Sequence, residues 1–131
     1  MDGRPAHFDP SRIVELYDTT QLALEKAIEG SSARQQAIAA NLANVDTPGY
    51  QRVDVDFHQT LRDAMASGGD GLAGAAFTPQ RDAAAQARPD GSSVDADVEA
   101  AAQARNGLEY EGLVQVSKAR IDILESAMGT R

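Results

Sequence analysis

The segment from Ala96 to Met128 reads as one long helix that no single neighbour can cover. At about 100° per residue, Leu108, Gly112, Val116, Ala119, Ile123, Ala127, Leu113 and Leu124 fall on one broad arc. Ile121, Val114 and Met128 widen it. The clearly polar strip is narrow: Gln115, Asp122, Glu111, Lys118 and Glu125. A helix that is apolar over more than half its circumference has to be packed from more than one side. Gly107 and Gly112 point the same way, because glycine inside a helix is costly unless something packs closely there. Asp95 can cap this helix, and Asp97 and Glu99 suit its positive N-terminal end.

A second long helix is predicted over 10–44. Asp9-Pro10 is a good start, with Asp as cap and Pro at the first helical position. Ile13, Tyr17, Thr20, Leu24, Ile28, Ser31, Gln35, Ile38, Leu42 and Val45 then recur at spacings of three and four. A mid-helix glycine costs about 1 kcal/mol relative to alanine, so Gly30-Ser31-Ser32 is the place for a break or kink. Unbroken, each helix would be about 50 Å long at roughly 1.5 Å per residue. Pro48 ends the first one, because it has no N–H and disfavours helical geometry at Thr47. Pro48-Gly49 suits the centre of a type II turn.

After the turn, Val53, Val55 and Phe57 alternate with Asp54, Asp56 and His58, a period-two pattern with one apolar face. Residues 59–66 could form a brief helix. From Ser67 to Ser93 the chain is rich in Gly, Ala, Asp, Gln, Arg and Pro, with Leu72 and Phe77 the only large apolar residues. This stretch is read as a flexible or loosely packed insert. The expected fold is therefore mainly α within a single domain. Helices over 10–46 and 94–131 pair as a helical hairpin or coiled coil. Between them lie a turn and extended arm over 47–66 and a flexible Ala/Gly-rich insert over 67–93.

Composition removes several function classes. The chain has 131 residues and a net charge of −8, which opposes phosphate backbones and anionic membrane surfaces. It has no cysteine, so thiol catalysis, disulfides and thiolate metal sites are absent. No stretch is apolar enough to span a membrane, and no secretory leader is visible before Pro10. His7 and His58 lack a nucleophile in a recognisable context, and no phosphate-binding glycine motif occurs. Asp54, Asp56 and His58 have metal-ligand chemistry but no companion cluster, and the helical acids Glu109, Glu111, Asp122 and Glu125 read mainly as a solvated face. No catalytic, cofactor-binding or metal site is expected.

The run Asn41-Leu42-Ala43-Asn44-Val45-Asp46-Thr47-Pro48-Gly49-Tyr50 resembles the signature shared by axial proteins of the bacterial flagellum, its rod, hook and hook-associated subunits. Gln51 to Phe57, Val94 to Glu99 and Asn106 to Gln115 are similar to the rod branch of that family. Gln51 stands where a basic residue commonly follows the tyrosine. The resemblance implies a structural subunit of the basal-body rod on the periplasmic side, taken out by type III export without a cleaved leader. Its partners would be other rod subunits, membrane-ring-side basal-body proteins and copies of itself. It also implies subunit contacts at Asn41, Asn44, Thr47, Pro48, Gly49, Tyr50 and Phe57, and on the last helix at Leu108, Gly112, Leu113, Val116 and Ile123. For Asn41 and Asn44, three apart in the last turn, helix-end capping is the alternative. The amphipathic pattern taken alone also permits a soluble helical adaptor or export chaperone that binds a partner helix.

Overall fold

The computed structural model describes residues 9–129, and the side chains of Ile13 and Leu16 are outside the description. His7 and the last two positions of the expected C-terminal segment also lie outside it. The elements are α1 (Pro10–Ala43), β1 (Val53–Asp54), α2 (Phe57–Ala66), α3 (Gly69–Ala73), β2 (Gln80–Arg81) and α4 (Ala96–Gly129).

Both long helices start where their caps put them. Asp9 Oδ1 accepts from the Ser11 N–H at 3.0 Å, and Pro10 opens α1. Asp95 Oδ1 accepts from the N–H groups of Asp97 and Val98 at 2.9 and 3.2 Å, which satisfies two donors that α4 cannot satisfy internally. The two helices run antiparallel. Tyr17 meets Arg120, Ser31 meets Asn106, and Asn41 meets Glu99.

Gly30 does not break α1. Its missing side chain is a seat for the chain that folds back. A Cβ there would lie 2.6 Å from Phe57 Cβ and 3.0 Å from Phe77 Cδ1. Phe57 is almost completely buried and joins Ala37 and Val55 in the core, with Ala33, Val53 and Phe77 packed around them. The core therefore sits between the middle of α1 and the returning arm.

The arm is more helical than the alternation suggests. Only Val53 and Asp54 form a strand, pairing antiparallel with β2 in the register Val53 to Arg81 and Asp54 to Gln80. Val55 and Phe57 do point inward, but Phe57 already begins α2. Asp56 caps that helix by accepting from the Gln59 N–H at 3.2 Å.

The reading of 67–93 as a flexible insert is corrected. Leu72 is fully buried, Phe77 packs on the core, and the Asp82 N–H donates to the Arg52 carbonyl at 2.9 Å. The segment is held by apolar surface and backbone groups belonging to α1 and the arm, which composition does not register.

Gly30→Ala separates helix propensity from packing. Alanine favours the helix by about 1 kcal/mol, but the added methyl would overlap Phe57. Overpacking at such a contact costs about 1–3 kcal/mol, so the net expectation is a lower urea midpoint followed by circular dichroism. A higher midpoint would mean that Phe57 does not rest on Gly30.

Candidate functional site

The signature run at the end of α1 folds into a clamp. Asn41 is fully buried, and its amide pairs with both backbone groups of Val53. Nδ2 donates to the Val53 carbonyl at 2.7 Å, and Oδ1 accepts from the Val53 N–H at 3.0 Å. The second Nδ2 proton goes to Glu99 Oε2 at 3.1 Å. One side chain thus imitates a strand neighbour for the arm and reaches α4 as well. Only an amide can do this, because it carries both a donor pair and an acceptor.

Glu99 is also fully buried and accepts from Arg52 Nε. The Arg52 guanidinium reaches Asp82 at 2.7 Å and Asp54 at 3.8 Å, while Asp54 also pairs with Arg34 at 3.4 Å. Burial works against the Arg52 charge. The hydrogen bond and attraction to Glu99, with Asp54 and Asp82 adding to them, outweigh it and raise the pKa above the ordinary arginine value. Arg52 therefore keeps its charge at neutral pH.

The turn itself is polar and outward. Asn44 ends α1, its Nδ2 donating to the Ala40 carbonyl at 2.9 Å and its Oδ1 accepting from Thr47 Oγ1 at 3.2 Å. The Tyr50 N–H donates to the Thr47 carbonyl at 3.2 Å and Gly49 has φ +75°, as a type II turn requires. Gly49 N–H donates to the Asp90 carbonyl, and Ser93 N–H to the Tyr50 carbonyl, each at 3.0 Å. Gly91, at φ +82°, comes so close that a Cβ would sit 3.4 Å from Gly49 Cα. Thr47, Pro48 and Gly49 are exposed, and Tyr50 is half-buried.

The expected contact residues thus separate into two sets. Asn41 and Phe57 are corrected: their own chain encloses them, so neither is left for a neighbour. A motif marks a position without saying whether it acts within or between chains. On α4, Leu108 is 72% exposed, Ile123 68% and Val116 51%. Gly112 is exposed and Leu113 half-buried. A Cβ at Gly107 or Gly112 would meet nothing within 4 Å, so packing within this chain gives no reason for either glycine. On the other side of the helix Tyr110, Val114, Ile121 and Met128 are exposed too. The face toward α1 is marked instead by polar residues. Asn106 donates to the Ser31 carbonyl at 3.0 Å and to Gln35 Oε1 at 2.9 Å.

Sequence reasoning missed the Arg52–Glu99 hub and this Asn106 layer. A signal for the layer was present, since Ser31 and Gln35 are polar members of an otherwise mainly apolar series. Asp54, Asp56 and His58 are each occupied separately: Asp54 by two arginines, Asp56 as a helix cap, and His58 beside Glu109. Among the described residues no three His, Cys, Asp or Glu side chains converge as a metal site. Among them, too, no helix is long and apolar enough to cross a membrane.

Residues 24–51, which hold the clamp residue Asn41 and the turn, match the family model described as flagella basal body rod protein. The chain is similar to the flagellar basal body rod protein FlgB of Aeromonas hydrophila. The two are 32% identical over 114 residues, covering 78% of this chain and 86% of that protein. It is similar to the proteins of the same name from Salmonella typhimurium and Escherichia coli as well. Each is 34% identical over 105 residues, covering 66% of this chain and 76% of the relative.

Asn41→Asp tests the clamp. The change removes both donors and sets a second carboxylate beside buried Glu99. Breaking a buried charged network costs about 3–5 kcal/mol, so the urea midpoint should collapse. An unchanged midpoint would show that the arm is held by something other than Asn41.

Proposed function

This chain belongs to the FlgB family of flagellar basal-body rod proteins, and from that membership we propose how it assembles. The family is structural and not enzymatic, and the chain is a rod subunit serving flagellum-dependent motility. The proposal is that it sits in the proximal rod, on the periplasmic side, next to other rod subunits and to basal-body proteins of the membrane-ring side. It reaches that place by type III export without a cleaved leader. The whole chain acts as one rod-type unit, whose two long helices form a hairpin stacked beside those of neighbouring subunits.

One observation carries the reading: α4 has two exposed apolar flanks besides the face that meets α1. Leu108, Gly112, Val116 and Ile123 lie on one, and Tyr110, Val114, Ile121 and Met128 on the other. Exposed apolar surface on this scale marks an interaction site. Gly112, with open space above it and Leu108 and Val116 one turn to either side, is a notch into which a neighbouring helix can settle. Leu113 borders the same surface from its half-buried position. Asn44, Thr47, Pro48, Gly49 and Tyr50 form a second contact, presented at the tip of α1 by the clamp beneath. A soluble adaptor would offer one groove to one client. Two apolar flanks on opposite sides suit a subunit with neighbours all round.

Deletion of the gene in its source bacterium is expected to abolish swimming, leaving membrane rings without rod or hook in electron micrographs, with rescue by the wild-type gene. Normal basal bodies in the deletion strain would reject the rod reading. Leu108→Asp separates assembly from folding. It places a charge where a neighbour must bury it, yet the residue is exposed in the single chain. The purified variant should keep its helical circular dichroism while the strain loses motility. Full motility would remove Leu108 from the interface.

A further inference from the structure

Asn106 and Gly107 form the one Asn-Gly pair in the chain; the other two asparagines, Asn41 and Asn44, precede Leu42 and Val45. An asparagine before glycine is the arrangement most open to attack by its own backbone, because no side chain on the next residue obstructs the approach of its nitrogen. In this fold the attack is blocked. Asn106 is 2% exposed, and Nδ2 commits both protons, to the Ser31 carbonyl and to Gln35 Oε1. Its Oδ1 accepts from Ser31 Oγ at 3.3 Å. Both residues lie inside α4. Helical geometry, with ψ near about −42°, holds the Gly107 nitrogen out of line with Asn106 Cγ and engages its N–H in the helix ladder. Solvent is nonetheless at hand. Gly107 is half-buried and lines an open groove with Ser32, Gln35, Gln103 and Tyr110.

We propose that Asn106-Gly107 is a fold-gated deamidation site, inert while α4 is paired with α1 and reactive in chains whose helices have come apart. The reaction needs only water. The Gly107 nitrogen gives its proton to solvent base and bonds to Asn106 Cγ; the Cγ–Nδ2 bond breaks, and ammonia leaves with a proton from solvent. Water then opens the cyclic imide at either carbonyl, which leaves aspartate or isoaspartate. The gate follows from the packing. A long helix without tertiary contacts is marginal in water, and within this chain α4 has its main packing partner in α1, with Leu108, Val116 and Ile123 exposed. Loss of α1 therefore frees the Asn106 amide and lets the backbone leave helical geometry together. The product cannot rebuild the layer. A carboxylate has no proton for the Ser31 carbonyl or for Gln35 Oε1, and it would be buried against both acceptors. Isoaspartate also lengthens the α4 backbone by one methylene and disturbs the register of the residues beyond it. The site thus records helix opening in one direction and withdraws altered chains from the pool able to fold. Nothing in this depends on what the chain assembles with.

The test incubates the purified full-length chain at mildly alkaline pH, in buffer and in denaturing urea, and follows each asparagine by peptide mass spectrometry. In urea, position 106 should convert well ahead of 41 and 44, with isoaspartate among the products. In buffer its conversion should slow by roughly tenfold or more, the factor that a protected, rarely opened helix imposes. Gln35→Ala removes one acceptor from the layer and should speed conversion at 106 in buffer while leaving the rate in urea unchanged. Gly107→Ala should largely abolish conversion in urea. Asn106→Asp, which copies the simpler product, should lower the urea midpoint of the full chain. Equal rates at 106 in buffer and urea would overturn the gate. A rate in urea no faster than at 41 and 44 would overturn the site itself. An unchanged midpoint for Asn106→Asp would show that the product rebuilds the layer and would remove the one-way consequence. Should that variant fail to fold, the wild-type time courses still decide site and gate.

Discussion

Everything on the functional side of this molecule depends on the amide of Asn41. It is one side chain near the end of a 34-residue helix, yet it settles where the chain goes next. By pairing with both backbone groups of Val53 it fixes the arm's register to a single residue. A slip by one position would turn Val55 outward and bring a charged neighbour toward the core. With Val55 and Phe57 fixed inward, Gly30 can receive Phe57, and Arg52 comes to Glu99. At its centre, Asn41 and Glu99, the network is polar and fully buried, so it is unforgiving. Satisfied, it specifies one arrangement; missing one partner, it leaves several buried groups unmatched at once.

The α1–α4 contact follows the same logic. Along the described helices it contains two buried polar layers, Asn106 with Ser31 and Gln35, and Glu99 with Asn41 and Arg52. Hydrophobic replacements of similar volume often stabilise such positions. What polar layers supply is register, because sliding one helix along the other separates every donor from its acceptor. Register matters when a helix carries interfaces on its other sides. Moving α4 by one residue would rotate Leu108 and Ile123 by about 100° and shift them about 1.5 Å along the axis.

Much of this could be read in the sequence. Asp9-Pro10 and Asp95 gave both helix starts, Pro48-Gly49 gave the turn, and the surplus apolar arc of α4 matches the large apolar residues that α1 leaves exposed. Less legible was anything made by a polar side chain meeting backbone from a distant segment. Asn41 reads as a cap or a contact, and neither reading shows the clamp. Gly30 reads as a weak point in α1, because periodicity cannot see Phe57 coming down on it. The 67–93 segment reads as loose, since its order is borrowed from surfaces elsewhere in the chain. Exposed α4 positions were legible because solvent exposure of a large apolar residue leaves a pattern, and buried amides leave none.

The division between Asn41 and Leu108 therefore has a physical basis. A residue enclosed by its own chain acts on assembly only through the shape it enforces. A residue such as Leu108 adds little to the fold of the single chain and is free to act on assembly directly. The signature run contains both kinds within ten positions: Asn41 builds the clamp, while Thr47, Pro48 and Gly49 are held out by it into solvent. That arrangement suits the assembly proposed above. The buried polar network keeps the single chain in one register, and the apolar flanks of α4 are left exposed for the contacts proposed above.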